Sequence, residues 1–469
     1  MSRCILAKNI QLYDQSAQLI GYGIDIPAAD QSFDWPLITI AGWVIGKDEP
    51  IREVEVALLA ENEVLQILPV NIPRPDVASF LPHVPQSEKS GFYGYLSAIG
   101  LPKQFEIVIS AIDFNKTVIP LANVVFESDP EDYRYRDFVR LQPIMLSALA
   151  RSGTTWLARL LIAHPEVVGY PVYPYEMHAA SYWLHACRVL TTPSNRVGIA
   201  HPDLFWFDLQ HISSPPFYSA FNEDLLKWFN DTYVNLIALE YKFTIQSFYD
   251  YIAKKLKKKK VRYFVEKQTV PNRSWLIYDL YSKPREIFLV RDWRDVFCSI
   301  IAFNNKRGVV TFGREGMESD AAFARGVVTF GREGMESDAA FARGVVTFGR
   351  EGMESDAAFA YRLGADIANL RREYHTRADR ALLVRYEELL LNPEHELKRI
   401  LDYIGVDATL STIRAMLRQA NKPDPLLQQH RTSRSERESI GRWKRDLSPE
   451  LQEVVNAVFR EHLEAFGYA

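Results

Sequence analysis

The stretch ALARSGTT at residues 148–155 joins an apolar β-type run to an amphipathic helical run, and it places three hydroxyls and an arginine at the junction. Set against the phosphate-loop pattern GxxxxGK[ST], Ala148 takes the place of the first glycine, Gly153 of the second, Thr154 of the lysine and Thr155 of the final Ser/Thr. Such a loop still wraps backbone N–H groups around a phosphate at the positive end of a helix, with Ser152, Thr154 and Thr155 adding donors. The lysine that reads β- and γ-phosphates is missing, which argues against a nucleoside triphosphate. Arg151 offers a fixed charge with bidentate geometry instead.

Four segments then fall in a telling order: RSGTTWL at 151–157, FLVRDWRDVFCSI at 288–300, LLVRYEELLLNPEHELKRILDYIGV at 382–406, and SIGRWKRDLSPE at 439–450 ahead of a terminal FGY. In order and spacing they resemble the sulfotransferases that use 3′-phosphoadenosine 5′-phosphosulfate (PAPS), from about residue 143 to the end of the chain. The arginine of the first motif, EKQTVPN at 266–272 and RYEEL at 385–389 resemble the bacterial and protein-tyrosine branch more than the small-phenol branch. The resemblance implies that Arg151, Ser152, Gly153, Thr154 and Thr155 hold the 5′-phosphosulfate, with Trp156 near the purine. It implies that Arg291 and Ser299 take the 3′-phosphate, and a guanidinium and a hydroxyl at a strand-to-helix transition do suit a phosphate monoester. Tyr386 matches a nucleotide contact, Arg442 a basic residue that closes over the cofactor, and Ser433 a phosphate-contacting serine for which Ser435 competes. Where the family usually has proline inside RDPRD, this chain has Trp293.

Sulfuryl transfer is an in-line displacement in which charge builds on the leaving nucleotide's bridging oxygen, so a cation belongs there. Lys267 resembles the family's cation, with Arg151 sharing the task. The acceptor hydroxyl must lose a proton. Glu176, after the first helix, matches where this branch often places its catalytic carboxylate, and His178 is the competitor. No metal is expected. Each of these residues also has a plainer reading: a capped turn at 151–155, a solvated ion-paired face at 291–295, Glu176 pairing Arg188 or a histidine, Lys267 pairing Glu266. Adjacent strand residues point to opposite faces, however, which weakens that last pair. The run AKKLKKKKVR at 253–262 reads as a solvated helix end, with an anionic acceptor or lipid as the sharper alternative. The aromatics of YPVYPYEMHAASYWLH and FWFDLQH read as partly core, some lining an acceptor pocket.

The elements that must position these groups sit in a chain of 469 residues, 47% hydrophobic and 24% charged, which matches a globular protein of more than one domain. Its 55 Lys and Arg against 59 Asp and Glu leave a net charge of -4, so no global field favours nucleic acid. The first residues lack a signal peptide's apolar core and no apolar run is long enough to span a bilayer, giving a cytoplasmic expectation. Three cysteines, Cys4, Cys187 and Cys298, show neither disulfide nor zinc spacing. From about 36 to 127 the pattern is β-type. Val54, Val56 and Leu58 alternate with Glu53, Glu55 and Ala57 as in a half-buried strand, and a hairpin is expected to turn near 113–116. A small β-sandwich-like accessory domain is therefore expected over 1–130, then a charged linker around 127–138. A P-loop-like, three-layer α/β sulfotransferase domain with a parallel sheet is expected over 139–469.

Within the second domain, RGVVTFGREGMESDAAFA occurs three times without a difference, an 18-residue repeat filling 307–360. Terminal copies of solenoid repeats differ, so two of these read as surplus passengers. The helix that matters should start near Ser355 and Asp356, with Phe359, Leu363, Ile367 and Leu370 on its inner face. The expected function is transfer from PAPS to a hydroxyl on a glycan, lipid, small metabolite or tyrosine. The alternatives are a nucleotide-dependent kinase of P-loop type and an inactive nucleotide-binding scaffold.

Overall fold

The computed structural model describes residues 4–60, 63–128, 138–192, 223–268, 275–306, 355–425, 427, 431–433, 435 and 437–468. Most of the triple repeat, most of the linker, the FWFDLQH segment and the TVPN end of EKQTVPN lie outside the described residues. The chain divides into two compact units. One comprises 1–138, 182–244 and 273–282, the other 139–181, 245–272 and 283–469.

The first unit is built on nine antiparallel strands: β1 (Cys4–Leu12), β2 (Leu19–Ile26), β3 (Ser32–Asp34), β4 (Leu37–Gly46), β5 (Ile51–Leu58), β6 (Glu63–Pro69), β7 (Gly91–Ser97), β8 (Gln104–Asp113) and β9 (Val118–Ser128). They form a six-stranded sheet ordered β3-β1-β9-β8-β5-β6 and a three-stranded sheet ordered β2-β4-β7. Ile38, Ile40 and Phe92 from the small sheet share one apolar core with Val54, Ile107 and Val124 from the large one, so the unit is a sandwich. The β8–β9 hairpin closes as expected: Asp113 accepts from Lys116 and donates to Thr117 through its backbone. One expectation needs correcting at β5. Val54, Val56 and Leu58 are buried, but so are Glu53 and Ala57, because β5 is an interior strand between β6 and β8 covered on both sides there. Glu53 is held by the guanidinium of Arg52. The segments 182–244 and 273–282 add helices to this unit, where Asp279 accepts the amide of Gly100 at 2.7 Å.

The second unit carries β10 (Gln142–Ser147), β11 (Val167–Val168), β12 (Tyr263–Gln268), β13 (Arg285–Val290) and β14 (Leu382–Arg385). All pairings are parallel, in the order β11-β12-β10-β13-β14. Strand residues alternate between two cores, as a sheet sandwiched by helices requires. Ile144, Leu146, Ile287 and Leu289 face a cluster with helices Thr154–Ala163, Pro393–Ile404 and Leu410–Ala420. Phe288 and Val290 face the other cluster, with helices Trp293–Lys306, Asp356–Arg377 and Pro449–Ala465. The unit is thus a P-loop-like three-layer α/β domain. Truncating a side chain such as Leu161, fully buried in the first cluster, costs about 2–5 kcal/mol in such an interior.

The helix after the repeats starts as its sequence says it should. Ser355 caps it by accepting from the amide of Ala358, and Phe359, Leu363, Ile367 and Leu370 are all buried. The ring of Phe359 stacks on Phe297 at 5.0 Å and 19°. At its far end the wholly buried Arg377 donates to Glu286 at 2.8 Å and to Glu373 at 2.5 Å. The other oxygen of Glu286 accepts from the hydroxyl of Ser147 at 2.5 Å. This helix end therefore fixes the last residue of β10, on which the following loop rests.

Candidate active site

The loop leaves the carboxyl end of β10 between β12 and β13, where the strand order reverses and open α/β sheets form crevices. Arg151 has a φ of 67° and Gly153 a φ of 97°. At Gly153 a Cβ atom would lie 2.4 Å from the ring of Tyr386, so only glycine lets the loop close onto that tyrosine. Helix Thr154–Ala163 starts directly after it. The hydroxyl of Ser152 is buried without a hydrogen-bond partner among the described residues. Trp156 is half-buried against the adjoining apolar cluster.

Three guanidinium groups gather beside this loop. Arg151 donates to Ser299 at 3.2 Å and lies 4.6 Å over the ring of Phe303. Arg291, just past β13, lies 4.9 Å over the ring of Tyr386 and donates to the carbonyls of Arg151 at 3.2 Å and Ser439 at 2.7 Å. Its Nε is buried and makes no hydrogen bond among the described residues. Arg442 donates to Thr432 at 3.0 Å and to Asp446 at 2.7 Å, and Thr432 in turn lies 3.3 Å from Ser299. Burial, then the charges of Arg291 and Arg442, pull the pKa of Arg151 down to about 10. A guanidinium lowered this far marks a dry region of net positive potential, the environment an anion relieves.

Across the loop, Lys267 occupies the end of β12 opposite Leu146 of β10. Its wholly buried ammonium donates to the hydroxyl of Thr155 at 2.8 Å, the carbonyl of Pro174 at 2.5 Å and the carboxylate of Glu176 at 2.9 Å. Burial lowers its pKa, Glu176 acts to raise it, and the positive charge of Arg151 adds to the lowering. Glu266 points the other way, accepting from the amides of Ala180 and Ser181 and from Tyr249. The alternation along β12 thus assigns Glu266 to the fold and Lys267 to the loop. Among the described residues no hydrogen bond or ion pair engages His178.

The charged run at 291–295 divides between two tasks. Arg294 grips Asp292 through two bonds, at 2.9 and 2.7 Å, and lies 4.1 Å over Trp443, which is a fold-holding role. Asp295, fully buried, accepts the amides of Gly441 at 2.7 Å and Trp443 at 3.1 Å, one on each oxygen. It thereby fixes the segment that carries Arg442. Desolvation pushes its carboxyl up to about 6 against these two bonds. Tyr468 of the terminal FGY donates to Glu387 at 2.6 Å, and Glu387 accepts the amide of Asp292, so the ends of three motifs meet.

Arg151, Ser299, Arg291, Tyr386 and Arg442 are therefore brought together, and Lys267, Thr155 and Glu176 form a second group at the start of the helix that follows the loop. Ser433 is half-buried, but the hydroxyl facing Ser299 belongs to Thr432, one residue earlier. Sequence reasoning missed Thr432 and Asp295. The signal for Asp295 was its place four residues before Ser299, one turn apart on helix Trp293–Lys306. Among the described residues no group of three or more His, Cys, Asp or Glu side chains gathers as a metal centre, and no helix is long and apolar enough to cross a membrane.

A parallel sheet with a lysine-less phosphate-type loop at its switch point defines a P-loop-like α/β domain. The family model of the sulfotransferase domain matches residues 141–467, and the chain belongs to that family. Among solved structures it is similar to a sulfotransferase from Alicyclobacillus acidocaldarius (14% identity, 70% of this chain and 95% of that one, TM-score 0.32). It is also similar to a mouse sulfotransferase complexed with PAP (13%, 71% and 91%, TM-score 0.29) and to one from Mycobacterium avium (13%, 71% and 79%, TM-score 0.33). No curated protein matches the chain.

Proposed function

We propose that this protein transfers a sulfuryl group from PAPS to a hydroxyl acceptor in the cytoplasm, by in-line displacement and without a metal. The observation that carries the reading is the convergence of Arg151, Arg291 and Arg442 with Ser299 and Thr432 beside the 151–155 loop. The donor set fits a nucleotide with a 3′-phosphate. Ser152 Oγ and Arg291 Nε are buried polar atoms still lacking a partner among the described residues, and leaving such donors unmet is costly.

Bound PAPS would supply the sulfuryl group and the nucleotide phosphate that leaves. Arg291, Ser299 and Arg442 would hold its 3′-phosphate, residues 151–155 its phosphosulfate, and Tyr386 and Trp156 the adjoining nucleotide. Lys267 keeps a positive charge at the helix start, next to Thr155, where charge develops on the departing oxygen. Glu176 is the base. Its carboxylate is partly exposed and paired with Lys267 at 2.9 Å, which places it at the loop within reach of an acceptor hydroxyl. The residues of the 1–130 sandwich would serve as an accessory domain.

Titration calorimetry with 3′-phosphoadenosine 5′-phosphate (PAP), set against ATP with magnesium and paired with a labelled-PAPS turnover assay, tests this. Tight PAP binding with transfer is the expected result. Preferential ATP binding with EDTA-sensitive turnover would overturn it in favour of a kinase, and binding without transfer would leave only a scaffold.

A further inference from the structure

The turn between helix Val234–Lys255 and β12 holds seven cations in nine residues, 254–262, and no acid. Two of them serve the fold. Lys258 donates to the carbonyls of Ile162, His164 and Val167, closing the carboxyl end of helix Thr154–Ala163. Burial lowers its pKa to about 8. Arg262 donates to Glu166 at 3.0 Å and to the carbonyl of Gly405 at 2.9 Å. The turn is therefore pinned in place.

Lys254, Lys257, Lys259 and Lys260 have no such task. All four are exposed and line one groove of about 830 Å³. Its two carboxylates are engaged already, Asp250 by Arg140 and Glu166 by Arg262. Packing like charges into one groove works against folding, and a bound anion removes the penalty. The groove lies at the opposite end of β12 from Lys267, roughly 16 Å along the strand, so an occupant leaves the 151–155 loop clear. Tyr251, 57% exposed, sits one turn before, with the ammonium of Lys255 5.3 Å from its ring.

We propose that this groove docks the protein on an anionic phospholipid surface, with headgroup phosphates against the four lysines and Tyr251 at headgroup level. The chemistry favours a bilayer over a specific soluble polyanion. The arginines, whose forks read phosphates bidentately, are both committed to carboxylates here. What remains is a set of mobile point charges suited to a fluid, diffuse anionic surface. An exposed tyrosine flanking such a patch matches the aromatic residues of membrane interfaces. The chain outside 254–262 is net acidic, which opposes general attraction to an anionic surface and favours approach by this groove.

The test is cosedimentation of the full chain with phosphatidylcholine vesicles with and without about 30% phosphatidylserine. Binding to the anionic vesicles alone is expected, falling steeply between about 0.1 and 0.5 M salt. Each free lysine near such a surface is worth about fivefold in partition. K254Q/K257Q/K259Q/K260Q should therefore lose at least a hundredfold, while melting temperature and PAP binding stay those of the parent. Equal binding to both vesicle types, or undiminished binding by the quadruple variant, would overturn the proposal. So would absent vesicle binding together with tight binding of a heparin oligosaccharide or single-stranded DNA in the same groove. None of these outcomes depends on the transfer chemistry.

Discussion

Asp295→Asn separates the stability of the fold from the seating of Arg442. The carboxylate accepts two backbone amides, of Gly441 and Trp443, and a hydrogen bond to a charged acceptor contributes about 1.5–3 kcal/mol. The amide keeps one oxygen for one of these donors and turns an N–H group toward the other, so the 441–443 segment loses about 2 kcal/mol of anchorage. Against this, desolvation holds the carboxyl at about 6, above its ordinary value, so the buried charge itself costs the fold ~3 kcal/mol at neutral pH. The sign follows: this group's contribution is most favourable below the unfolded pKa of about 4 and is lost as pH rises through about 6. That cost is already net of the two amide bonds, so removing the charge at least offsets the bond that is lost. D295N should be at least as stable as the parent at neutral pH, yet bind PAP at least tenfold more weakly because the 441–443 segment that carries Arg442 is loosened. Between about pH 4 and 6 the parent's stability should fall relative to that of D295N. Calorimetric titration with PAP and thermal denaturation across that range measure both. An unchanged PAP affinity in D295N would refute the reasoning, as would a loss of affinity that only tracks a collapsed melting temperature.

Lys267→Ala should lower turnover about a hundredfold or more with a smaller effect on PAP binding, as removal of a preorganised charge does; near-normal turnover would remove Lys267 from the chemistry. Glu176→Gln should abolish transfer with PAP affinity intact, and the same phenotype in His178→Ala instead would move the base there. Arg291→Ala should weaken PAP by about 2 kcal/mol and leave adenosine 5′-phosphosulfate nearly unaffected, so equal losses for both would place Arg291 away from the 3′-phosphate. Deleting residues 307–342 keeps one copy of the repeat with its Ser355 cap and should preserve PAP binding and turnover with an equal or higher melting temperature. A deletion protein that folds but no longer accepts its hydroxyl substrate would make the repeat part of the acceptor site.

Much of the second unit was legible because its signals are local. Each strand is followed within a few residues by glycine, serine or arginine and then an apolar stripe, and Ser355 announces its helix by residue type alone. The sandwich was likewise written in alternation, except at Glu53, where burial of both faces depends on neighbours that the period of one strand cannot reveal. Contacts between distant positions were not legible. Asp295 and Gly441 lie in different motifs, so their bond has no sequence pattern, and a motif matched by residue type, which offers Ser433 or Ser435, does not single out the Thr432 hydroxyl that lies 3.3 Å from Ser299. Nor does composition tell that Lys258, one of four identical neighbours, folds inward to three carbonyls while the others stay in water. The allocation of 182–244 and 273–282 to the sandwich unit is equally a matter of tertiary contacts.

The Phe297–Phe359 stack has a kinetic side. These rings close the chain across the whole repeat, so in the unfolded protein they must find each other over a long tether before helix Asp356–Arg377 can dock and Arg377 can reach Glu286. Removing 307–342 shortens that tether by more than half and lowers the entropy of closure by about 0.8 kcal/mol. If the stack belongs to the folding nucleus, the refolding rate rises about fourfold while unfolding from the native state stays the same. The two surplus copies would then slow refolding and lower stability by the same ~0.8 kcal/mol, with no effect on how fast the native state opens.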